Sequence, residues 1–181
     1  ETEVAVHLVN TRTNEEGVVH HTLNVAILGL LLGRERGLGV QPLEDLGMGA
    51  LLHDLGKDRI PKSLLLKKPP LTRPERRLLQ LHPVYGEEIA SRIPGLSREC
   101  LDAIRQHHET PDGMGYPDGL PEDRISPLAK ILSIADAYEN LCNPREVEDA
   151  FSPHEALSLM FAERFQRFDP DLISLFIRSM G

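Results

Sequence analysis

Apolar residues recur every three or four positions along most of this chain, the spacing that lets a helix bury one face. No stretch alternates between apolar and polar residues clearly enough to predict a strand. We therefore expect an all-α fold, a single bundle of about seven to nine helices. The periodic segments predict helices at residues 17–36, 43–55, 72–92, 96–109, 127–142, 153–166 and 170–179.

Local signals support several of these boundaries. Thr72 with Glu75, and Ser152 with Glu155, each have the spacing of a capping box at a helix start. Residues 110–125 are rich in proline and glycine, which predicts a loop. The 181 residues suit one compact domain, so we expect a single domain over residues 1–181. Because the chain starts without a methionine, we expect it to be part of a longer protein.

The composition excludes several classes of protein. A net charge of −8 argues against a nucleic-acid-binding surface, although a small phosphate ligand held by metal ions remains compatible with it. Cys100 and Cys142 are too few for a disulfide framework, so we expect a reducing compartment, the cytoplasm. The longest apolar run, residues 25–33, is too short to span a bilayer, and no signal peptide is evident.

A histidine and an aspartate follow an apolar run in "ALLHDLGK", residues 50–57. A buried aspartate is costly unless it is paired or binds a metal ion. His53 and Asp54 can both reach one centre near the end of a helix, and the two oxygens of Asp54 can bridge two ions. The alternative is an ordinary helix end, in which Gly56 closes the helix and Lys57 satisfies its dipole.

Further imidazoles and carboxylates lie at helix ends or within apolar helices. Each of them taken alone is more often structural, but together they resemble a set of metal ligands. Nitrogen and oxygen ligands without cysteine suit Fe(II), Mn(II), Ni(II) or Zn(II), and two such ions favour phosphoester hydrolysis. Lys57 could neutralise developing charge or protonate the leaving oxygen. These further candidates are His21, His82, His107, His108 and Asp136.

Several motifs, in order, resemble the HD-GYP family of metal-dependent phosphohydrolases over nearly the whole chain from about residue 17. "HDLGK" is similar to the HD motif, and "HHETPDGMGYP" is similar to the extended motif that names the family. The stretches "KKPPLTRPERRLLQLHPVYG", "AKILSIADAYENLCNPR" and "FDPDLI" are similar to flanking segments of the same family.

This resemblance implies an α-helical cyclic di-GMP phosphodiesterase that releases the linear dinucleotide, GMP or both. It implies two or three metal ions, most often iron or manganese, with Asp54 as the bridge. It also implies that Lys57, Tyr116 and Arg145 hold the phosphates and a guanine. The metal ligands that the resemblance implies are His21, His53, Asp54, His82, His107, His108 and Asp136.

Some positions require a choice or depart from the family pattern. His20 and His21 are both available, and "HTLNVA" matches the family at His21, so we expect His20 to pack or to support the site. Gly17 stands where some members with three ions have a glutamate, so we expect two ions. Glu139 replaces the more frequent aspartate, and the acidic stretch after Arg145 weakens the case for a phosphate contact there.

The motif after the histidine pair suggests a stiff loop at the mouth of the site. We expect Glu109 to orient one of the ligand histidines, and Gly113 and Gly115 to adopt positive φ. The resemblance implies that this loop can also bind GGDEF domains. Two other functions remain open, a phosphohydrolase of other nucleotides and a binding or sensor module with a damaged site. None of the seven candidate ligands is missing, which argues against the damaged site.

Overall fold

The computed structural model describes residues 16–68, 70–144 and 150–180 of the chain. Within these ranges every regular element is helical. Eight α-helices have seven or more residues, and two further α-helical segments, Lys62–Leu65 and Arg164–Arg167, have four. Two 3₁₀ segments, Leu55–Arg59 and Glu122–Arg124, complete the described elements. The eight are α1 (Glu16–Glu35), α2 (Val40–Leu52), α3 (Arg73–Leu79), α4 (His82–Ala90), α5 (Arg98–Gln106), α6 (Pro127–Cys142), α7 (Pro153–Ala162) and α8 (Pro170–Met180).

The core lies where α1, α2 and α6 pack together, with α7 and α8 closing one side. Leucine and isoleucine fill most of it, and Tyr138 packs edge-on against Phe176 at 5.2 Å between ring centroids. A smaller apolar cluster, Ala90, Cys100 and Ile104, joins α4 to α5. Burial of such side chains drives the association of the helices. The two clusters hold the ends of α2, α4 and α5 close together.

The expectation of an all-α bundle is confirmed for the described residues. Both capping boxes form, with Glu75 and Glu155 bonding back to the backbone of Thr72 and Ser152. None of the described helices combines the length and hydropathy that a bilayer crossing requires. That residues 1–181 form a single domain stays a prediction.

The prediction of one helix over residues 72–92 is wrong, because the structure has two helices there, α3 and α4. The break falls at Gln80 and Leu81, just before His82 and Pro83. Proline has no N–H to donate to the carbonyl four residues earlier, and its ring crowds that carbonyl. The chain therefore turns before Pro83 and starts a new helix, with the proline in its first turn.

The helix expected at 153–166 ends at Ala162 and is followed by the short segment Arg164–Arg167. Two more predicted helices end early, and both changes concern candidate ligands. The helix expected at 43–55 begins at Val40 and ends at Leu52, so His53 and Asp54 follow the helix instead of belonging to it. A short 3₁₀ turn, Leu55–Arg59, comes next and packs against α4. The helix expected at 96–109 ends at Gln106, which leaves His107 and His108 beyond its last turn. Four of the seven candidate ligands thus lie just past the ends of helices: His53, Asp54, His107 and His108.

Candidate metal centre

Six of the seven candidate ligands form two compact groups. His82, His107 and His108 make the first group, and His21, His53 and Asp136 make the second. Within each group the potential ligand atoms lie within 4.8 Å of one another. The structure therefore brings together side chains that are spread over more than a hundred residues of sequence.

Asp54, the seventh candidate, lies between the two groups. Its Oδ2 atom is 3.5 Å from Nε2 of His53 and 3.7 Å from Nε2 of His21. Its Oδ1 atom is 3.5 Å from Nε2 of His82 in the other group. One carboxylate thus presents one oxygen to each group, the arrangement that a bridging ligand requires.

Three of the histidines are fixed by the same local device. In each, Nδ1 donates to the carbonyl three residues earlier, so the ring folds back over the end of the preceding helix. Carbonyls there lack intrahelical partners, which makes them available as acceptors. The three bonds join His53 to Ala50 at 2.7 Å, His82 to Leu79 at 2.8 Å and His107 to Ile104 at 2.7 Å.

These bonds fix the protonation of the rings and so favour metal binding. A neutral imidazole that carries its proton on Nδ1 has a lone pair on Nε2. The Nε2 atoms of His82 and His107 face each other at 3.4 Å. Burial lowers the pKa of His82 and lowers that of His107 further, so both rings are neutral at pH 7. Two lone pairs pointed at each other repel, and a divalent cation relieves that repulsion; the donor set therefore fits a metal ion.

His21 is held by a carboxylate rather than a carbonyl. Its Nδ1 atom donates to Glu139, which is buried and also accepts from Asn24 and Asn143 at 3.3 Å each. Burial alone would lower the pKa of His21, but hydrogen bonds to Asp136 and Glu139 outweigh it and raise the pKa to about 10. Such a carboxylate behind a histidine is a common partner of a metal-bound imidazole.

Two carboxylates of the centre stay ionised although they are removed from water. Burial alone would raise the pKa of Asp136, but its hydrogen bond with His21 and the charge of His53 hold the pKa below its usual range. Burial opposes ionisation of Asp54 too, but His53, Lys57 and His82 keep its pKa well below normal. Ionised oxygens of this kind are the form that binds a cation.

The turn after Asp54 carries Lys57 into the site. Its Nζ atom donates to Oδ2 of Asp54 at 2.5 Å. Gly56 permits this turn for a reason that the sequence did not reveal. A Cβ at this position would lie 1.9 Å from the carbonyl oxygen of His82 and 2.4 Å from the amide nitrogen of Gly86. Only glycine lets the turn approach α4 so closely.

Tyr116 lies over the first group of histidines. Its ring stacks on His108 with centroids 4.6 Å apart, and its amide donates to the His108 carbonyl at 3.1 Å. Gly113 has φ of +70°, as expected, whereas Gly115 does not have a positive φ. Gly115 is needed because a Cβ there would lie 2.5 Å from Cα of Glu109. The loop therefore packs tightly onto the end of α5.

Glu109 does not orient a histidine, contrary to the expectation. Its buried carboxylate accepts the amides of Asp118 at 2.7 Å, Gly119 at 3.2 Å and Leu120 at 2.9 Å. These three donors point at one carboxylate because the loop turns back over Glu109, and they decide its orientation. The same loop is held by Arg105, which donates to both oxygens of Asp118 at 2.8 and 2.9 Å.

Two further predictions concern the first histidine and an arginine. His21, not His20, belongs to the second ligand group. Arg145 lies outside the described residues. Sequence reasoning missed the supporting residues Glu139, Asn24 and Asn140, the last of which donates to Oδ1 of Asp136 at 2.8 Å. The sequence signal for these three residues was their polarity, since each is an acid or an amide inside an otherwise apolar helix.

Comparison with known proteins agrees with this geometry. The family described as HD domain matches residues 10–172. Over 174 residues the chain is 33% identical to the cyclic di-GMP phosphodiesterase PA4108 of Pseudomonas aeruginosa, covering 96% of this chain and 42% of that protein. It is 36% identical to the response regulator RpfG of Xanthomonas campestris, a cyclic di-GMP phosphodiesterase, over 82% of this chain and 39% of RpfG.

The chain spans about two fifths of the length of these curated relatives. Among solved structures, Bd1817, an HD-GYP-type protein of Bdellovibrio bacteriovorus, has the same fold with a TM-score of 0.78. It is 24% identical, and the match covers 97% of this chain and 56% of Bd1817. From its motifs, the family match and these relatives, the chain belongs to the HD domain family, in its HD-GYP branch.

Proposed function

We propose that this chain is a metal-dependent phosphodiesterase that hydrolyses cyclic di-GMP to the linear dinucleotide pGpG, to GMP or to both, in second-messenger signalling in the cytoplasm. The single observation that carries the proposal is the position of Asp54. Its Oδ2 atom faces the group that contains His53, and its Oδ1 atom faces the group that contains His82. The names of the curated relatives support the choice of substrate.

The residues would hold two divalent ions; the family resemblance favours iron or manganese, and nickel and zinc also suit nitrogen and oxygen ligands. His21, His53 and Asp136 would hold one ion, His82, His107 and His108 the other, and Asp54 would bridge them. When bound, such a pair supplies an acidified water and positive charge for the phosphate oxygens.

The chain's own residues would bind and orient the substrate around that pair. Lys57 is one third exposed, so it can leave Asp54 to contact a phosphate oxygen or protonate the leaving oxygen. Burial raises the pKa of Tyr116, so its phenol stays protonated and can donate. Because one face of Tyr116 already stacks on His108, only the other face or the ring edge remains for a guanine. Arg145 is proposed as a phosphate contact from the resemblance alone.

Hydrolysis of cyclic di-GMP under anaerobic conditions with Fe(II) or Mn(II), together with a metal assay, tests the proposal. We expect turnover with about two ions per chain. Asp54→Ala should abolish turnover and lower the metal content, whereas full activity in that variant would refute the bridging role. Mononucleotides and a mixed cyclic dinucleotide should be included, because faster hydrolysis of mononucleotides would favour the alternative phosphohydrolase.

A role in binding GGDEF domains through the loop at residues 110–120 is a further part of the proposal. The exposed side chain of Met114 at the tip of that loop supports it, since it is 85% exposed. Co-purification with a GGDEF domain, compared between the wild type and Met114→Asp, would test this contact. Equal recovery with both proteins would argue against the loop as the binding surface.

A further inference from the structure

The segment between Asp54 and His82 is strongly basic. Residues 57–77 contain eight lysines and arginines and two acids, a formal charge of +6 in a chain whose total is −8. An anionic protein repels an anionic substrate, so a local excess of positive charge beside the site changes how a substrate arrives. Lys57, the first of these cations, bonds to the candidate ligand Asp54.

Three arginines of this segment share one side of α3. Arg73, Arg76 and Arg77 are separated by three and four positions, which aligns their side chains on one face, and all three are exposed. Other cations of the segment are paired, Arg59 with Glu88 and Lys67 with Glu75. In the part of the chain that the structure describes, no ion pair involves these three arginines.

This arrangement weakens the helix that carries it. Like charges three and four residues apart repel each other and destabilise a helix, and α3 has only seven residues. Sequences depart from local stability most often where a function requires it. The three guanidinium groups are also the side chains best suited to phosphate oxygens, because they stay charged and present a planar set of donors.

The arginine face is physically linked to the ligand groups through the end of α3. Leu79, the last residue of α3, accepts the hydrogen bond that fixes the ring of His82. Arg76 precedes Leu79 by three residues, about 4.5 Å of helix rise. Arg76 therefore lies about one helical turn before the residue that orients a candidate ligand.

We propose that Arg73, Arg76 and Arg77 form an electrostatic capture surface that draws the doubly anionic cyclic dinucleotide from solvent towards the metal centre. This rests on the proposed function. Capture by a charged surface raises the rate of encounter and leaves the chemical step unchanged. The surface therefore contributes to kcat/KM and its dependence on salt, and not to kcat.

The test is steady-state hydrolysis of cyclic di-GMP by the metal-loaded protein at several ionic strengths. The variant R76Q/R77Q should lower kcat/KM about tenfold at low salt, with kcat and metal content unchanged and the salt dependence flattened. R36Q/R178Q is the matched control, because it removes the same charge from exposed positions, one just past the C-terminal end of α1 and one on α8. R76K/R77K should retain the wild-type behaviour, since it keeps the charge.

The outcomes separate this inference from the proposed function. If the wild type turns over and R76Q/R77Q behaves like R36Q/R178Q at every salt concentration, the capture surface is refuted and the proposed function stands. A fall in kcat or in bound metal would also overturn it, because the arginines would then support the site itself. No turnover by the wild type would refute both.

Discussion

The ring of His82 donates a hydrogen bond to the carbonyl of Leu79 at 2.8 Å, and this carbonyl is the one that Pro83 cannot use. In a continuous helix the amide of residue 83 would bond to the carbonyl of residue 79. The proline removes that amide, breaks the helix and leaves an acceptor for Nδ1 of His82. One residue thus creates both the turn that positions this candidate ligand and the bond that orients it.

Pro83→Ala should weaken metal binding without touching a ligand. The new amide can bond to Leu79, join α3 to α4 and displace Nδ1 of His82. Loss of such a supporting bond lowers metal affinity by about 10- to 100-fold. Metal titration of the purified protein measures the affinity, and circular dichroism measures the gain of helix. The exposed Pro74, in the first turn of α3, is the control, and Pro74→Ala should leave the affinity unchanged.

Metal binding should release about one proton near pH 8, and that proton should come from His21. Its pKa of about 10 means that it is protonated in the metal-free protein at this pH. The pKa of His108 is lowered by burial to about 4, and those of His82 and His107 are also lowered, so these rings bind as neutral groups. Affinity at the His21 group should therefore rise about tenfold per pH unit from pH 7 towards pH 10.

Calorimetry in buffers of different ionisation enthalpy counts the released protons. Glu139→Gln is the informative variant, because it removes a carboxylate that raises the pKa of His21 and should reduce proton release at pH 8. It should also weaken the His21 group about 10- to 100-fold. Unchanged proton release in this variant would show that Glu139 does not control the protonation of His21.

Gly56→Ala should destabilise the fold, because its Cβ would meet the backbone of His82 and Gly86, which cannot move aside as a side chain can. We expect the free energy of unfolding to fall by about 1 to 3 kcal/mol, as for other overpacked sites. Gly47→Ala is the control, since a Cβ there lies 3.6 Å from the Leu30 side chain. Because alanine favours a helix interior more than glycine does, Gly47→Ala in α2 should raise the free energy of unfolding by up to about 1 kcal/mol. Urea unfolding distinguishes the two, and equal effects would contradict the close approach at Gly56.

Glu109→Ala should release the loop that carries Tyr116 while leaving the metal bound. The variant loses three hydrogen bonds from backbone amides to a buried carboxylate, each worth about 1.5 to 3 kcal/mol at most. We expect faster proteolysis within residues 110–120 and a higher KM for cyclic di-GMP. Glu99→Ala, on the first turn of α5, is the control. Loss of metal from Glu109→Ala would instead indicate that Glu109 supports the ligands directly.

Much of the fold could be predicted because its determinants are local. The period of apolar residues predicts the helices, and the caps at Thr72 and Ser152 fix two of their starts. The boundary near His82 was missed because the effect of one proline had to be weighed against a long periodic pattern. The ends of α2 and α5 were each misjudged by three residues, because histidines that follow a helix differ little in sequence from histidines inside it.

The sequence by itself determined the helical class, the family and the set of candidate ligands, because each depends on spacing and residue type along the chain. Only the tertiary structure decided which candidates share a group, that Asp54 lies between the groups and that Glu109 holds a loop instead of a histidine. It also decided that Glu139 supports His21 from 118 residues away. Hydrogen bonds and contacts between charged side chains act over a few ångströms. No local pattern specifies which distant side chains the packing of helices will bring within that range.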